Sequence, residues 1–400
     1  MNGRRSSPFS AAPSATGYLF QCRYALLESL RRLRKNEDFA VSVETLDDVV
    51  FEKSGEAVDL LQTKHHIART ADLTDASPDI WKTLRAWCEY LENGSIPEDS
   101  TFFLITTSSA PEGSAAYHLR IGESRDVVKA IERLNATAES STNKTNTRAY
   151  KVFRNLSAEK KRNFLEAVIV LDNAPVISDL DGLLKEELFH AVEPRFLDSF
   201  VSRIEGWWFR RVINQLASNT SEPILSEELL AEEGRLREQF KQDNLPVDDD
   251  IMNAAVDASG YQDKTFVHQL RLIEIGNRRI FYAIRNYFRA FEQRSRWVRE
   301  DLLFVGELDR YEDRLVEEWE LLFEAMKDDL GNDAAEEAKK KAAQALYKWV
   351  ETGSHRSIRA GVTEPCIARG TYQILADKLR VGWHPEFLKR LKKLLEPQEA

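Results

Sequence analysis

Asp48, Gln62 and Lys64 are the residues of this chain whose types and spacing could do chemistry. A carboxylate on one strand and Gln-x-Lys on the next would give two oxygen ligands for Mg²⁺ or Mn²⁺, an ion that keeps several waters and contacts a substrate phosphate. Such an ion lowers the pKa of a bound water and offsets negative charge during phosphodiester hydrolysis. A lysine two residues beyond the second ligand can orient that water and place positive charge beside the scissile phosphate. Asp48 and Gln62 are therefore the expected metal ligands, and Lys64 the catalytic cation. Gln62 offers a neutral carbonyl, so a further acid is expected to complete the site: Glu44, or a helix acid such as Glu28. Gln21, Asp47 and His66 are accessory candidates.

The elements that must position these residues can be read locally. Residues 41–51 and 57–64 are rich in Val, Phe and Leu, and the polar, glycine-containing stretch 52–56 between them reads as the turn of a β-hairpin. A turn centred on Ser54-Gly55 sets Asp48 opposite Leu61 or Gln62. Side chains alternate along a strand, so Gln62 and Lys64 share one face, Asp59 and Thr63 the other, and Glu44 and Asp48 share a face. Asp59 is thus a poorer candidate than Asp48. Residues 15–28 carry apolar side chains at helical spacing after a glycine-containing entry; a second helix is expected over 80–91 and a short apolar strand over 101–107.

A carboxylate followed by Gln/Glu-x-Lys on the next strand resembles the PD-(D/E)xK phosphodiesterases, whose core runs αβββαβ; the elements above fall one strand short of it. A Gln-x-Lys triplet alone is common on solvated strand edges, and the paired acid is what gives it weight. Gly17-Tyr18-x-Phe20-Gln21, Glu44-x-x-Asp47-Asp48-Val and Gln62-x-Lys64 together resemble the double-stranded DNA endonuclease domain of CBASS antiphage effectors. Further on, Gly206-Trp207-Trp208-Phe209, Glu364-Pro365-x-x-x-Arg369-Gly370-Thr371-Tyr372 and Gly382-Trp383-His384-Pro385 are similar to C-terminal domains of ABC-three-component systems, the group that includes Lamassu. The resemblance is to LmuA-type nuclease effectors. It implies an endonuclease acting on double-stranded DNA, an SMC-like ATPase subunit (LmuB) and a small subunit (LmuC) as partners, and a homo-oligomer, such as a tetramer, when active. The alternative is a non-catalytic DNA-binding scaffold or adaptor of the same kind of complex. A nucleotidase is disfavoured by the lack of a P-loop glycine motif.

At 400 residues the chain is long enough for two cores, and the expected boundary separates an α/β nuclease domain, residues 1–193, from an all-helical assembly domain, residues 194–400. No stretch approaches the apolar length of a membrane span, and the N-terminus lacks the apolar core of a signal peptide. Cys22, Cys88 and Cys366 are too few and too scattered for a disulfide frame, which suits a cytoplasmic location. A net charge of -10 argues against an indiscriminate nucleic-acid coat. Basic residues from Arg4 to Lys35 and from Arg148 to Arg162 could still form a phosphate-facing patch, or simply be solvated helix faces. The first dozen residues read as a mobile arm and 137–147 as a polar loop. Beyond residue 194 helices are expected over 195–216, 226–242, 261–299, 308–328 and 333–351. The tryptophans there and His384 read as structural.

Overall fold

The computed structural model describes residues 12–65, 72–218, 222–331 and 333–395; the N-terminal arm, including Arg4 and Arg5, and His66 lie outside these. Two compact units result, one of residues 1–193 with 200–235, the other of 194–199 with 236–400. This division and the expected boundary part over residues 200–235. They join the first unit because Trp208 Nε1 donates to the Cys22 carbonyl at 2.8 Å and a short strand at Ile224–Leu225 extends the sheet.

The first unit is built on six strands, β1 (Ala40–Val43), β2 (Val49–Lys53), β3 (Glu56–Lys64), β4 (Thr101–Thr106), β5 (Val168–Leu171) and β6 (Ile224–Leu225), in the order β5-β4-β3-β2-β1-β6. Ser54 and Gly55 both have positive φ, 56° and 83°, the backbone of a two-residue hairpin turn whose twist matches its flanking strands. Val49 faces Leu61 and Val50 faces Leu60, so the register carried one residue further puts Asp48 opposite Gln62. Strand β3 runs parallel to β4, and β4 to β5. Parallel neighbours need a crossover, which α2 (Pro78–Glu92) supplies between β3 and β4, and three helices between Val127 and Ala167 supply between β4 and β5. The first of these reaches Ser140, so the expected polar loop shrinks to 141–143.

One expectation is corrected here. Residues 41–51 form two strands rather than one, because the chain turns at Glu44, whose φ of 55° is incompatible with an extended strand. The Glu44 amide donates to the Asp48 carbonyl at 3.0 Å and the Ser42 and Thr45 hydroxyls bond at 2.9 Å, closing a loop between antiparallel β1 and β2. Glu44 and Asp48 therefore do not share a strand face; they lie at the two ends of this loop. The extra strand completes the order α1 (Ala12–Arg34), β1, β2, β3, α2, β4.

Packing follows from the apolar periodicity of α2, where Ile80, Trp81, Leu84, Trp87 and Cys88 are buried against Val50, Leu60, Phe102, Leu104, Val168 and Val170 of the sheet. Pro78 at the first helical position and the Ser77 hydroxyl, accepting from the Asp79 amide, start this helix. On the other face Arg32 of α1 lies 3.9 Å from the centre of the Phe51 ring and bonds Asp59 at 2.6 Å. The outer edge of β1 is closed by β6 at Ala40 and Val41, and beyond that by Gln215, whose Oε1 accepts from the Val43 amide at 3.4 Å.

The second unit is helical. The expected helix over 261–299 is broken into Thr265–Leu272 and Asn277–Arg299, because Glu274 adopts a left-handed φ of 57° and Gly276 opens the second helix. The helices Asn277–Arg299 and Pro365–Asp377 touch backbone to backbone at Gly370: a Cβ there would sit 2.0 Å from the Asn286 carbonyl oxygen. Trp297 and Trp383 are fully buried, and the His384 ring accepts from the Glu386 amide at 3.1 Å, both structural roles. Among the described residues no helix is long and apolar enough to cross a membrane.

Candidate active site

Three acids, one amine and one amide meet where the β1–β2 loop passes the C-terminal end of β3. Asp48 is fixed by Thr63: its Oδ2 accepts from the Thr63 amide at 2.7 Å and from the Thr63 hydroxyl at 2.8 Å. Both bonds fall on one oxygen and leave Oδ1 for another partner. Thr63 is buried rather than on an exposed face, and it is the residue the alternation argument undervalued. Asp47 points the other way, its Oδ2 accepting from Trp87 Nε1 of α2 at 2.5 Å and its Oδ1 from the Asp48 amide at 3.0 Å. Burial pushes the Asp47 carboxyl up to about 6, with the neighbouring Asp48 charge adding and the Trp87 bond and Lys64 opposing.

Glu44 completes the acidic group. Its carboxyl is raised by burial and by the Asp48 charge, against a hydrogen bond from Gln21 and the charge of Lys64. Gln21 reaches this point from α1, and its Oε1 is buried without a hydrogen-bond partner. An orphaned buried carbonyl costs on the order of 1–3 kcal/mol, a penalty a bound cation would remove. Lys64 is half-buried at the end of β3, paired with Thr106, and makes no ion pair with the described acids. Gln62 lies two residues back on the same face, half-buried and paired with Leu104.

The structure thus gathers Asp48, Glu44, Asp47, Gln21 and Lys64, with Gln62 opposite Asp48 by register. Glu28 is not brought there: its carboxylate is taken by Arg31 at 2.7 Å. His65 packs its ring 4.7 Å from Phe20 and accepts from the Ile177 amide, a packing role. Asp59 is held by Arg32 on the α1 face. Of the basic residues proposed for a phosphate-facing patch, those of α1 are spent on acids, Arg23 on Glu205 and Arg31 and Arg34 on Glu187, while in the later stretch Arg148 is paired with Glu89. Trp87 and Tyr18 were missed. Tyr18 sits beside Glu44, one helical turn before Cys22, and Gly17-Tyr18-x-Phe20-Gln21 held the signal for this part of α1.

Among the described residues no group of three or more His, Cys, Asp and Glu side chains is placed to hold a metal ion. The donor set on offer is two carboxylates, Asp48 and Glu44, with the amide carbonyls of Gln21 and Gln62. All four are hard oxygen donors, and the unpartnered Gln21 carbonyl is the specific sign that they fit Mg²⁺ or Mn²⁺ rather than a thiophilic metal.

Residues 266–391 match the family model described as C-terminal domain 7 of the ABC-three component (ABC-3C) systems. No curated protein matches the chain. Among solved structures, a Cap4 SAVED/CARF-domain containing receptor of Moraxella osloensis aligns over 70% of this chain and 68% of its own, with 14% sequence identity and a TM-score of 0.36.

Proposed function

We propose that this chain is a metal-dependent endonuclease of double-stranded DNA, acting as the effector of an ABC-three-component antiphage system. The observation that carries the reading is the meeting of Asp48, Glu44 and Lys64 with the unpartnered Gln21 carbonyl at one end of a sheet whose element order is αβββαβ. Support for the kind of system comes from the domain matched over residues 266–391.

Asp48 and Glu44, with Gln21 and Gln62, would hold the ion. Its chemistry at such a donor set is Lewis-acid polarisation of a phosphoryl oxygen and of water. The Lys64 ammonium, which pairs with no acid among the described residues, would pair with a phosphate oxygen of the substrate and stabilise charge that grows during cleavage. The two Thr63 bonds hold Asp48 Oδ2 in place and leave Oδ1 for the ion. Trp87, a core residue, holds the loop through Asp47, the neighbour of Asp48.

Activity unchecked in a cell would cut the host chromosome. In this reading an SMC-like ATPase subunit and a small third subunit restrain the effector through its helical C-terminal unit, and released copies self-associate so that several sites engage both DNA strands. Purified protein incubated with supercoiled plasmid and Mg²⁺ tests the proposal. Linear and degraded products that vanish in excess chelator and in Lys64→Ala support it. An inert wild-type protein that still binds DNA, alone and with its partner subunits, would favour the non-catalytic scaffold.

A further inference from the structure

The arginines of the Asn277–Arg299 helix fall into two sets. Arg279 is paired with Glu351, Arg294 with Glu312 and Arg296 with Asp250, contacts that tie the helix to its surroundings. Arg278, Arg285 and Arg289 pair with no acid among the described residues. At about 3.6 residues per turn, positions 278, 282, 285 and 289 fall on one line along the helix. On that line Arg278 Nε donates to the Tyr282 hydroxyl at 3.2 Å, and the Arg285 guanidinium lies 5.0 Å from the centre of the same ring. Arg285 and Arg289 are half-buried, and the Nε of neither finds an acceptor. Phe281 and Tyr282 add exposed aromatic surface, and Glu292 is the acid that follows Arg289 on this side. Unpaired guanidiniums held in a row suit an anionic partner surface.

A surface of that kind lies on the Glu307–Leu330 helix. Asp309, Asp313, Glu317, Glu320, Glu324 and Asp328 are exposed and recur every three or four residues, which puts them on one face. Arg380 takes Asp313, Lys327 takes Glu324, and Arg310 donates to the Val305 carbonyl. Asp309, Glu317, Glu320 and Asp328 pair with no cation among the described residues. Leu321 at the margin of this face is 76% exposed. Each stripe thus carries unmatched charge beside exposed apolar surface, and the signs are opposite. The two do not meet within one chain. Arg294, nine residues past Arg285 and so about two and a half turns round, is on the opposite side of its helix, and there the helix meets Glu312. Tyr311, nine residues before Glu320, is likewise buried opposite the acidic face. A nucleic-acid backbone would match the basic stripe and be repelled by the acidic one, whereas a second copy of the chain matches both.

We propose that the basic face of the Asn277–Arg299 helix docks on the acidic face of the Glu307–Leu330 helix in a second copy of this chain. Because the two faces differ and turn away from each other, the contact is head-to-tail: each copy offers its basic side to one neighbour and its acidic side to another. The contact does not depend on the acidic group at the end of β3 being catalytic, and Lys64→Ala should associate as the wild type does. Sedimentation velocity of the full chain tests it. The wild type is expected to exceed the monomer mass at low salt and to fall towards it at about 1 M, where charges are screened within about 3 Å. A variant with Arg285→Glu and Arg289→Glu, and another with Glu317→Arg and Glu320→Arg, should each associate at least about tenfold more weakly. Mixed in equal amounts the two should associate again, since each supplies the face the other lacks, and this rescue shows that both are folded. A wild type that is monomeric at every concentration, a variant that associates as the wild type does, or a mixture that stays monomeric would overturn the proposal. So would an arginine variant that loses DNA binding with its self-association intact, which assigns the basic stripe to nucleic acid.

Discussion

Glu386 in the helical unit and Glu44 in the sheet unit are both glutamates set among charged neighbours, and their carboxyls move in opposite directions. Glu386 is gripped by Arg390 and Lys339, which hold it down to about 2. Glu312 and Glu307 resemble it. Burial works against their charge, but bonds from Arg294 and from Arg359 outweigh it and hold both below the usual carboxylate range. Glu44 and Asp47 are raised instead, by burial first and then by Asp48, with Lys64 as the opposing cation among the described residues. Acids that serve the fold are matched by arginine before anything binds, whereas the acids of the candidate site are gathered with too little positive charge. A surplus of this kind is what a bound cation would relieve.

The contrast can be broken most sharply by removing single groups. Lys64→Ala and Asp48→Ala should each lower plasmid cleavage by roughly 10²–10³-fold or more while circular dichroism and DNA binding stay near wild type. Wild-type cleavage by soluble Lys64→Ala would refute the assignment. Mg²⁺ or Mn²⁺ should be required and Ca²⁺ should support little turnover, read in the same assay after chelation and add-back. Glu312→Ala should do the reverse of the site variants. It strands Arg294 in the core and should cost about 3–5 kcal/mol in chemical denaturation of the helical unit, with the cleavage chemistry of the remaining folded protein intact.

Asp47 gives a subtler test. Its folded pKa of about 6 lies above the ordinary 3.8 of an aspartate, so the native state holds this proton more tightly than the unfolded chain. Its contribution to stability is then greatest below about pH 4 and is lost as pH rises through 6. Asp47→Asn should flatten this part of the melting-temperature profile between pH 4 and 7; a profile identical to wild type would show that the carboxyl is not raised. The smallest effect is expected of Asp59→Ala, which loses the Arg32 pair on the opposite face and should keep cleavage within a few-fold of wild type.

How much of this was legible in the sequence depended on whether the signal was local. The hairpin turn was, because Ser54-Gly55 can take positive φ between two β-branched runs, and the turn sets the pairing of Val49 with Leu61 next to Asp48. The break between β1 and β2 was not. Val, Leu and Phe continue on both sides of residues 44–48, and nothing in the glutamate at 44 announces a left-handed backbone. Glu274 hid the break in the 261–299 helix in the same way, with Gly276 as the one local cue. Thr63 was read as facing away from Gln62 and Lys64, yet both its amide and its hydroxyl donate to Asp48 Oδ2, a contact that alternation along the strand did not anticipate. The strand at Ile224–Leu225 pairs with residues some 180 positions earlier, and no periodicity in a two-residue strand could have revealed it.

That short strand has a consequence for how this chain behaves at high concentration. An open strand edge is a template on which another copy can add its own backbone, and β1 is shielded from that by two residues of β6 and the side-chain amide of Gln215. A fragment ending at residue 193 would lose both and leave β1 free to recruit a neighbour, so its self-association would report edge-to-edge polymerisation rather than the native assembly. Ending the fragment after residue 235 keeps the edge covered.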